Sequence, residues 1–325
     1  MKLVPLFALL AIAACSHVQT EPVLPAIPVL APPSYSPQFH DGPRALAMLE
    51  ALSSDDLKGR LTGTPGNLLA QDMITARFAE IGLKPIGDGY RHDFVAPRFN
   101  RPEETLSGTN IMGLLEGTKP GGPTLVLSAH YDHVGERDGE IYNGADDNAS
   151  GVAAMLEVAQ WFADHRGEHD IIFVAFDAEE GGLSGAVDFV RTPPIPRERV
   201  AFNLNLDMVA RADKGEIYAV GTYHFPELIP VVKGVAANSP LTLKMGHDRP
   251  EDGDQNWTLQ SDHAPFIRSG IPSIYLGVED HADYHRPTDE FAKIDPETFE
   301  RSVDTIVMVA QAIDVWLGDE VRAGS

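Results

Sequence analysis

Short apolar-rich runs punctuate the middle of the chain at residues 124–129 (TLVLSA), 170–176 (DIIFVAF) and 200–206 (VAFNLNL), each bounded by turn formers. Runs of this length predict buried strands, and a fourth is expected at 272–278. Between them the apolar positions switch to helical spacing over 150–165 and 183–191. A closing helix is expected over 296–316, where Val303, Ile306, Val307, Val309, Ala310 and Ile313 recur on one face. Upstream, Asp41 and Pro43 open a helical pattern through Leu57, and Pro65 and Gly66 lead into another that stops at Gly82. Strands apolar throughout and alternating with helices predict an α/β fold, a three-layer α/β/α sandwich around a mixed, mostly parallel sheet. No internal repeat is present.

The first forty residues follow a different pattern. Lys2, an apolar run from Leu3 to Ala14 and small residues after it have the layout of a secretory signal peptide. The run is about half of the roughly 20 residues a membrane-spanning helix needs. Ile12, Ala13, Ala14 and Cys15 resemble a bacterial lipobox, which implies cleavage after residue 14 and lipid on Cys15. Cys15 is the only cysteine, so disulfides and thiol chemistry are excluded from the rest of the chain. Residues 21–37 hold six prolines and almost no charge, and at about 3.1 Å per residue in polyproline geometry would reach roughly 50 Å. The expected organisation is a signal peptide (1–14), a lipidated cysteine and tether (15–38) and one catalytic domain (39–325), on the periplasmic face of a bacterial membrane and held there only by the lipid.

Asp and Glu outnumber Lys and Arg by 48 to 25, a formal net charge of -23 spread along the sequence. Such a field repels polyanions, so nucleic acid is excluded as a partner. Nothing in the sequence fixes an oligomeric state.

In open α/β sheets ligands bind beyond the carboxyl ends of the strands, which makes the residue after each apolar run informative. TLVLSA is followed by His130, Tyr131, Asp132 and His133, and Gly144, Ala145, Asp146, Asp147 and Asn148 open the next helix. DIIFVAF is followed by Asp177, Ala178, Glu179 and Glu180, VAFNLNL by Asp207, and the last strand by His285. Any one of these is ordinarily a helix cap or a surface residue; their convergence on one sheet edge points to a metal. Imidazole with carboxylate and no thiolate suits zinc, with manganese or cobalt as substitutes, and five donors with one shared carboxylate can hold two ions.

The stretches SAHYDHVG (128–135), NGADDNASG (143–151), FDAEEGGLSGA (176–186), LNLDMVA (204–210), SDHAPFIRSGIPSIYL (261–276) and DYHRPTDE (283–290) resemble the co-catalytic zinc aminopeptidases. Relatives of that family include bacterial leucine aminopeptidases, glutamate carboxypeptidase, glutaminyl cyclases and the transferrin receptor. GRLTGTPGN at 59–67 extends the resemblance over nearly all of the chain after the tether. It implies two zinc ions, with Asp147 rather than Asp146 bridging, His130 and Asp207 completing one site, and Glu180 and His285 the other. It implies Glu179 as general base, taking a proton from the attacking water and returning it to the leaving amine. Asp132 is expected to accept the second N–H of His130. Tyr284 is expected either to donate to the developing oxyanion or to pack beside the histidine loop.

Ser261, Asp262 and His263 match a family segment near the site, and Ser261 is expected to cap the helix that Pro265 begins. His133, Asp280, His281 and Asp283 are expected at the rim, and segments 88–105, 212–225 and 243–260 as its walls.

The expected activity is hydrolysis of amino-terminal peptide bonds. The alternatives are a carboxypeptidase or dipeptidase of the same superfamily, a single-zinc glutaminyl cyclase, or a non-catalytic metal-containing envelope binding protein. The short spacing from His130 to Asp147 and the full set of ligand positions favour the aminopeptidase.

Overall fold

The computed structural model describes residues 35–324, so the signal peptide, Cys15 and nearly all of the tether lie outside the described residues. Two helices open the domain, α1 (Gly42–Leu52) and α2 (Pro65–Ile81). Asp41 caps α1 by accepting the Arg44 amide at 3.1 Å, Thr64 caps α2 by accepting that of Asn67 at 3.3 Å, and Gly82 ends α2 in the left-handed conformation. The first helix stops at Leu52, short of the expected Leu57. Ser53 turns its hydroxyl back to the Leu49 carbonyl at 2.8 Å, and the chain then winds through a 3-10 segment with Lys58, Gly59 and Arg60 at positive φ. A Cβ on Gly59 would fall 2.4 Å from the Tyr142 carbonyl oxygen, so only glycine fits this turn.

A β-rich segment follows: β1 (Lys84–Pro85), β2 (Arg91–Arg98), β3 (Arg101–Leu115), β4 (Thr124–His130) and the small hairpin β5 (Gly135–Arg137) with β6 (Glu140–Tyr142). Alternation then sets in: α3 (Gly151–Asp164), β7 (Asp170–Phe176), α4 (Ser184–Arg191), β8 (Val200–Leu206), β9 (Glu216–Val220), α5 (Ile229–Ala236), β10 (Thr242–Met245), α6 (His263–Arg268), β11 (Ser273–Gly277) and α7 (Pro296–Gly324). The main sheet runs β1-β3-β7-β4-β8-β11-β9-β10, with β2 paired to β3. Its centre, β7-β4-β8-β11, is parallel, whereas β1, β2 and β3 are antiparallel and β9 runs against β11. The sheet is mixed, with its parallel character concentrated in the middle.

Both faces are covered, and the strands show it residue by residue. Leu125, Leu127, Ile171, Phe173, Phe202 and Leu204 pack with residues of α1, α2, α3, α5 and α7, while Val126, Ile172, Val174 and Phe176 pack with those of α4 and α6. Alternate residues of one strand point to opposite layers, which is why the central runs read as continuously apolar. Among the described residues no helix is long and apolar enough to cross a membrane.

The order of the central strands fixes where a ligand can sit. The chain leaves β4 for β7 on one side and returns to β8 on the other. Loops at the carboxyl end of β4 therefore diverge and leave a crevice.

Candidate active site

His130 is the last residue of β4, Asp207 the first after β8, and Glu179 and Glu180 follow β7 by three and four residues. Asp147 sits in the turn before α3, and His285 in the loop between β11 and α7. The structure gathers all five expected ligands in that crevice.

Asp147 divides the group in two. Its Oδ1 lies 3.4 Å from His130 Nε2, which lies 3.2 Å from Asp207 Oδ1. Its Oδ2 lies 3.1 Å from His285 Nε2, which lies 3.2 Å from Glu180 Oε2. Charge-assisted N–H···O bonds are usually about 2.7–2.9 Å. Two donors held tetrahedrally at about 2.0–2.1 Å from one ion stand about 3.3 Å apart, and the four separations cluster there. The donor set fits zinc in kind and in spacing.

Electrostatics favour cations in the same place. Burial pushes Glu179 well above the ordinary carboxyl range and raises Asp262 to about 7. Burial, then the neighbouring Asp177, raises Asp132. Burial works against the charged form of His285, yet the Asp147 and Glu180 carboxylates hold it up at about 10. Burial likewise opposes charge on Glu180, but the close approach of His133 and His285 brings its carboxyl below the usual range.

The turns that carry these groups are held from behind. A Cβ on Gly144, at φ +55°, would lie 2.0 Å from the Asp147 carbonyl oxygen and 2.5 Å from the His133 ring. Asp289 accepts the amides of Asp146 and Asp147 at 3.1 Å, and Asn148 binds the Leu206 carbonyl and the Met208 amide, tying this turn to the end of β8. Ala178, Met208 and His285, all beside the cleft, sit at positive φ, conformations that non-glycine residues hold only when their surroundings impose them.

Residues 110–310 match the model of peptidase family M28. The chain belongs to this family. It is 28% identical over 212 residues to the aminopeptidase YwaD of Bacillus subtilis, covering 61% of this chain and 43% of that one. It is 29% identical over 168 residues to the alkaline phosphatase isozyme conversion protein of Escherichia coli, covering 48% of each. The chain thus spans about half the length of the curated relatives it matches. The fold is shared with the zinc aminopeptidase BSAP of Bacillus subtilis (TM-score 0.65, 18% identity, 85% of this chain and 96% of that one). It is shared equally with the Porphyromonas gingivalis glutaminyl cyclase (TM-score 0.65, 20% identity, 84% and 98%).

Within this M28 fold several expected positions shift. His133 is not at the rim: it is fully buried, with Nδ1 2.6 Å from Glu180 Oε1. Nothing in its spacing along the chain marks it as a ligand, but the Gly144 cradle closes over it. His281 reaches inward to Asp146 at 3.1 Å, while Asp283 is held by Arg211 at 3.0 Å and Asp280 stays exposed. Asp132 approaches His130 Nδ1 through its backbone carbonyl, at 3.1 Å, rather than through its carboxylate, at 3.8 Å. That carboxylate instead accepts the amides of Glu179 at 3.0 Å and Glu180 at 3.4 Å, orienting the glutamate pair. Ser261 makes no side-chain cap on α6. It accepts from Asn205 at 2.9 Å and bonds Asp207, ending a buried polar relay that runs through Ser128 and Asn203. Asp262 and His263 are fully buried, and both Asp262 oxygens lack a hydrogen-bond partner among the described residues.

The cleft is a cavity of about 220 Å³ lined by Asp147, Glu179, Glu180, Asp207, Met208, Gln260, Tyr284 and His285. Of the three segments expected to wall it, only 243–260 contributes, through Gln260. Residues 88–105 instead form most of the β2–β3 hairpin, and 212–225 contains β9. Tyr284 stacks on His285 with ring centroids 4.0 Å apart.

Arg60 was invisible as a site residue in the sequence. Its guanidinium is buried and donates to the carbonyls of Leu52 (2.6 Å), Tyr131 (2.9 Å), Asn143 (2.6 Å) and Gly144 (3.1 Å). It therefore ties together the two turns that carry His130 and Asp147. Burial lowers it to about 10, opposed by the charges of Asp147, Asp289, Asp132 and Glu180.

Proposed function

We propose that this protein is an exported zinc aminopeptidase with two ions per chain. The observation that carries the reading is the division of Asp147 between two His–carboxylate groups, each at the spacing of tetrahedral zinc ligands. His130, Asp147 and Asp207 would hold one ion, and Asp147, Glu180 and His285 the other. Bound zinc would polarise the scissile carbonyl and lower the pKa of a water molecule.

The chain's own groups supply the proton traffic. Glu179, held in place through its amide by the Asp132 carboxylate, borders the cleft. Its carboxyl would take the proton of the attacking water and deliver it to the leaving nitrogen. The Tyr284 hydroxyl is kept protonated, burial and then the surrounding carboxylates pushing its pKa up, and can donate to the developing oxyanion. The names of relatives such as YwaD and BSAP support the aminopeptidase direction.

Leucine p-nitroanilide and its N-acetylated form test the direction of cleavage. Hydrolysis of the free amine alone supports an aminopeptidase, whereas equal rates or preference for the blocked substrate would remove that reading. Export and lipid attachment belong to the same proposal and rest on the Lys2-to-Cys15 pattern. Incorporation of labelled palmitate, lost in Cys15→Ser, is the expected result; equal labelling of the variant would exclude the anchor.

A further inference from the structure

We infer that His133 is a further donor to the ion held by Asp147, Glu180 and His285, making that site richer in ligands than its neighbour. The inference rests on the two-ion reading above and extends it to a residue outside the five positions implied by resemblance.

His133 is fully buried, and neither ring nitrogen makes a hydrogen bond of acceptable geometry with any described residue. Buried polar groups almost always have a partner, because their lost hydration is otherwise uncompensated. Its Nδ1 faces the site, 2.6 Å from Glu180 Oε1 and 3.8 Å from Asp147 Oδ2. Glu180 Oε1 is also buried without a hydrogen bond, whereas Oε2 faces His285. Two unsatisfied donors side by side, off the line of a hydrogen bond, are what a shared cation would reconcile. Donor atoms about 2.0–2.2 Å from one ion can be no more than about 4.4 Å apart; the separations of 2.6 and 3.8 Å meet that limit and straddle the roughly 3.3 Å of a regular tetrahedron, so His133 would join as an unevenly spaced donor. His133, Asp147 and Glu180 can bring ligand atoms within 4.8 Å of one another without His285. The His285 side chain is 42% exposed and comes from a loop, while His133 is wedged beneath Gly144, where a Cβ would strike its ring. The buried imidazole would thus secure an ion that the exposed one closes over.

The test uses the full-length chain labelled with 15N-histidine and loaded with 113Cd, after its bound ions have been counted. Two ions per chain with a one-bond 113Cd–15N coupling at His133 Nδ1, alongside His130 and His285, is the expected result. Two ions with couplings at His130 and His285 but none at His133 overturns the assignment and leaves the two-ion reading standing. Fewer than two ions overturns both. In parallel, His133→Ala should weaken one zinc by more than about 100-fold in competition with a chromophoric chelator, beyond the roughly 10–100-fold that loss of an outer partner brings. A smaller loss from a folded variant contradicts direct ligation.

Discussion

Replacing Glu179 by Gln separates catalysis from metal binding more sharply than any other change. The amide has nearly the same shape as the carboxylate, and the Asp132 bond that positions residue 179 is made to its backbone, so the turn should survive. Glu179 takes no part in the four contacts that define the two ligand groups. What disappears is a basic oxygen beside the cleft. General-base catalysis contributes about 10²–10⁴-fold, or about 2.7–5.4 kcal/mol of barrier. E179Q should therefore lose at least about 100-fold in kcat on leucine p-nitroanilide, with KM within a few-fold and zinc content unchanged. A base works only when ionised, so the native rate should rise with pH along an acid limb that E179Q flattens. A loss of less than about tenfold with both metals in place would refute the assignment. Parallel loss of zinc would instead make Glu179 a ligand in the group it can form with His130 and Asp207.

Gly144→Ala should weaken zinc binding at least about tenfold, because its Cβ has no room between the Asp147 carbonyl and His133; chelator competition giving native affinity would contradict the cradle. Arg60→Met removes four bonds to carbonyls while relieving the burial of a charge, a net loss of about 2–5 kcal/mol by denaturant unfolding; an unchanged midpoint would show that the clamp is dispensable. Asp304 accepts from Tyr35, the amides of Gln38 and Phe39, and His40. Burial opposes its ionisation, but these bonds hold its pKa below the ordinary value. Its contribution is therefore complete above about pH 3.9, the unfolded value, and is lost as pH falls through the lower folded one. Asp304→Asn should cost about 1–3 kcal/mol at pH 7, with the difference vanishing in strong acid; a gap that persists there would contradict the linkage.

The strands that build the crevice were legible because they are apolar on both faces and end abruptly in polar residues. Those endings are also where the candidate ligands stand. The β2–β3 hairpin was not legible: Arg91, His92, Asp93, Arg101, Glu103 and Glu104 give it a polar sequence, and much of β3 is exposed until it reaches Asn110. Residues whose role depends on a partner distant in sequence were harder still. Arg60 acts through carbonyls at 52, 131, 143 and 144, reached only because residues 58–60 turn left-handed. His133 reads as a rim residue until Gly144 folds over it, and Ser261 looks like a cap until Asn205 and Asp207 claim its hydroxyl. Only the fold makes these pairings visible.

The proposed chemistry of this M28 chain depends on two zinc ions that would share Asp147 as a ligand. The direct measurement is to strip the protein with a chelator, return zinc in known increments, and follow bound zinc and leucine p-nitroanilide hydrolysis together. Negligible activity without metal, tight binding of two equivalents and full activity by the second are expected, with Asp147→Asn impairing both ions at once. Activity that survives chelation, or binding that saturates at one equivalent with full activity, would contradict the two-ion proposal.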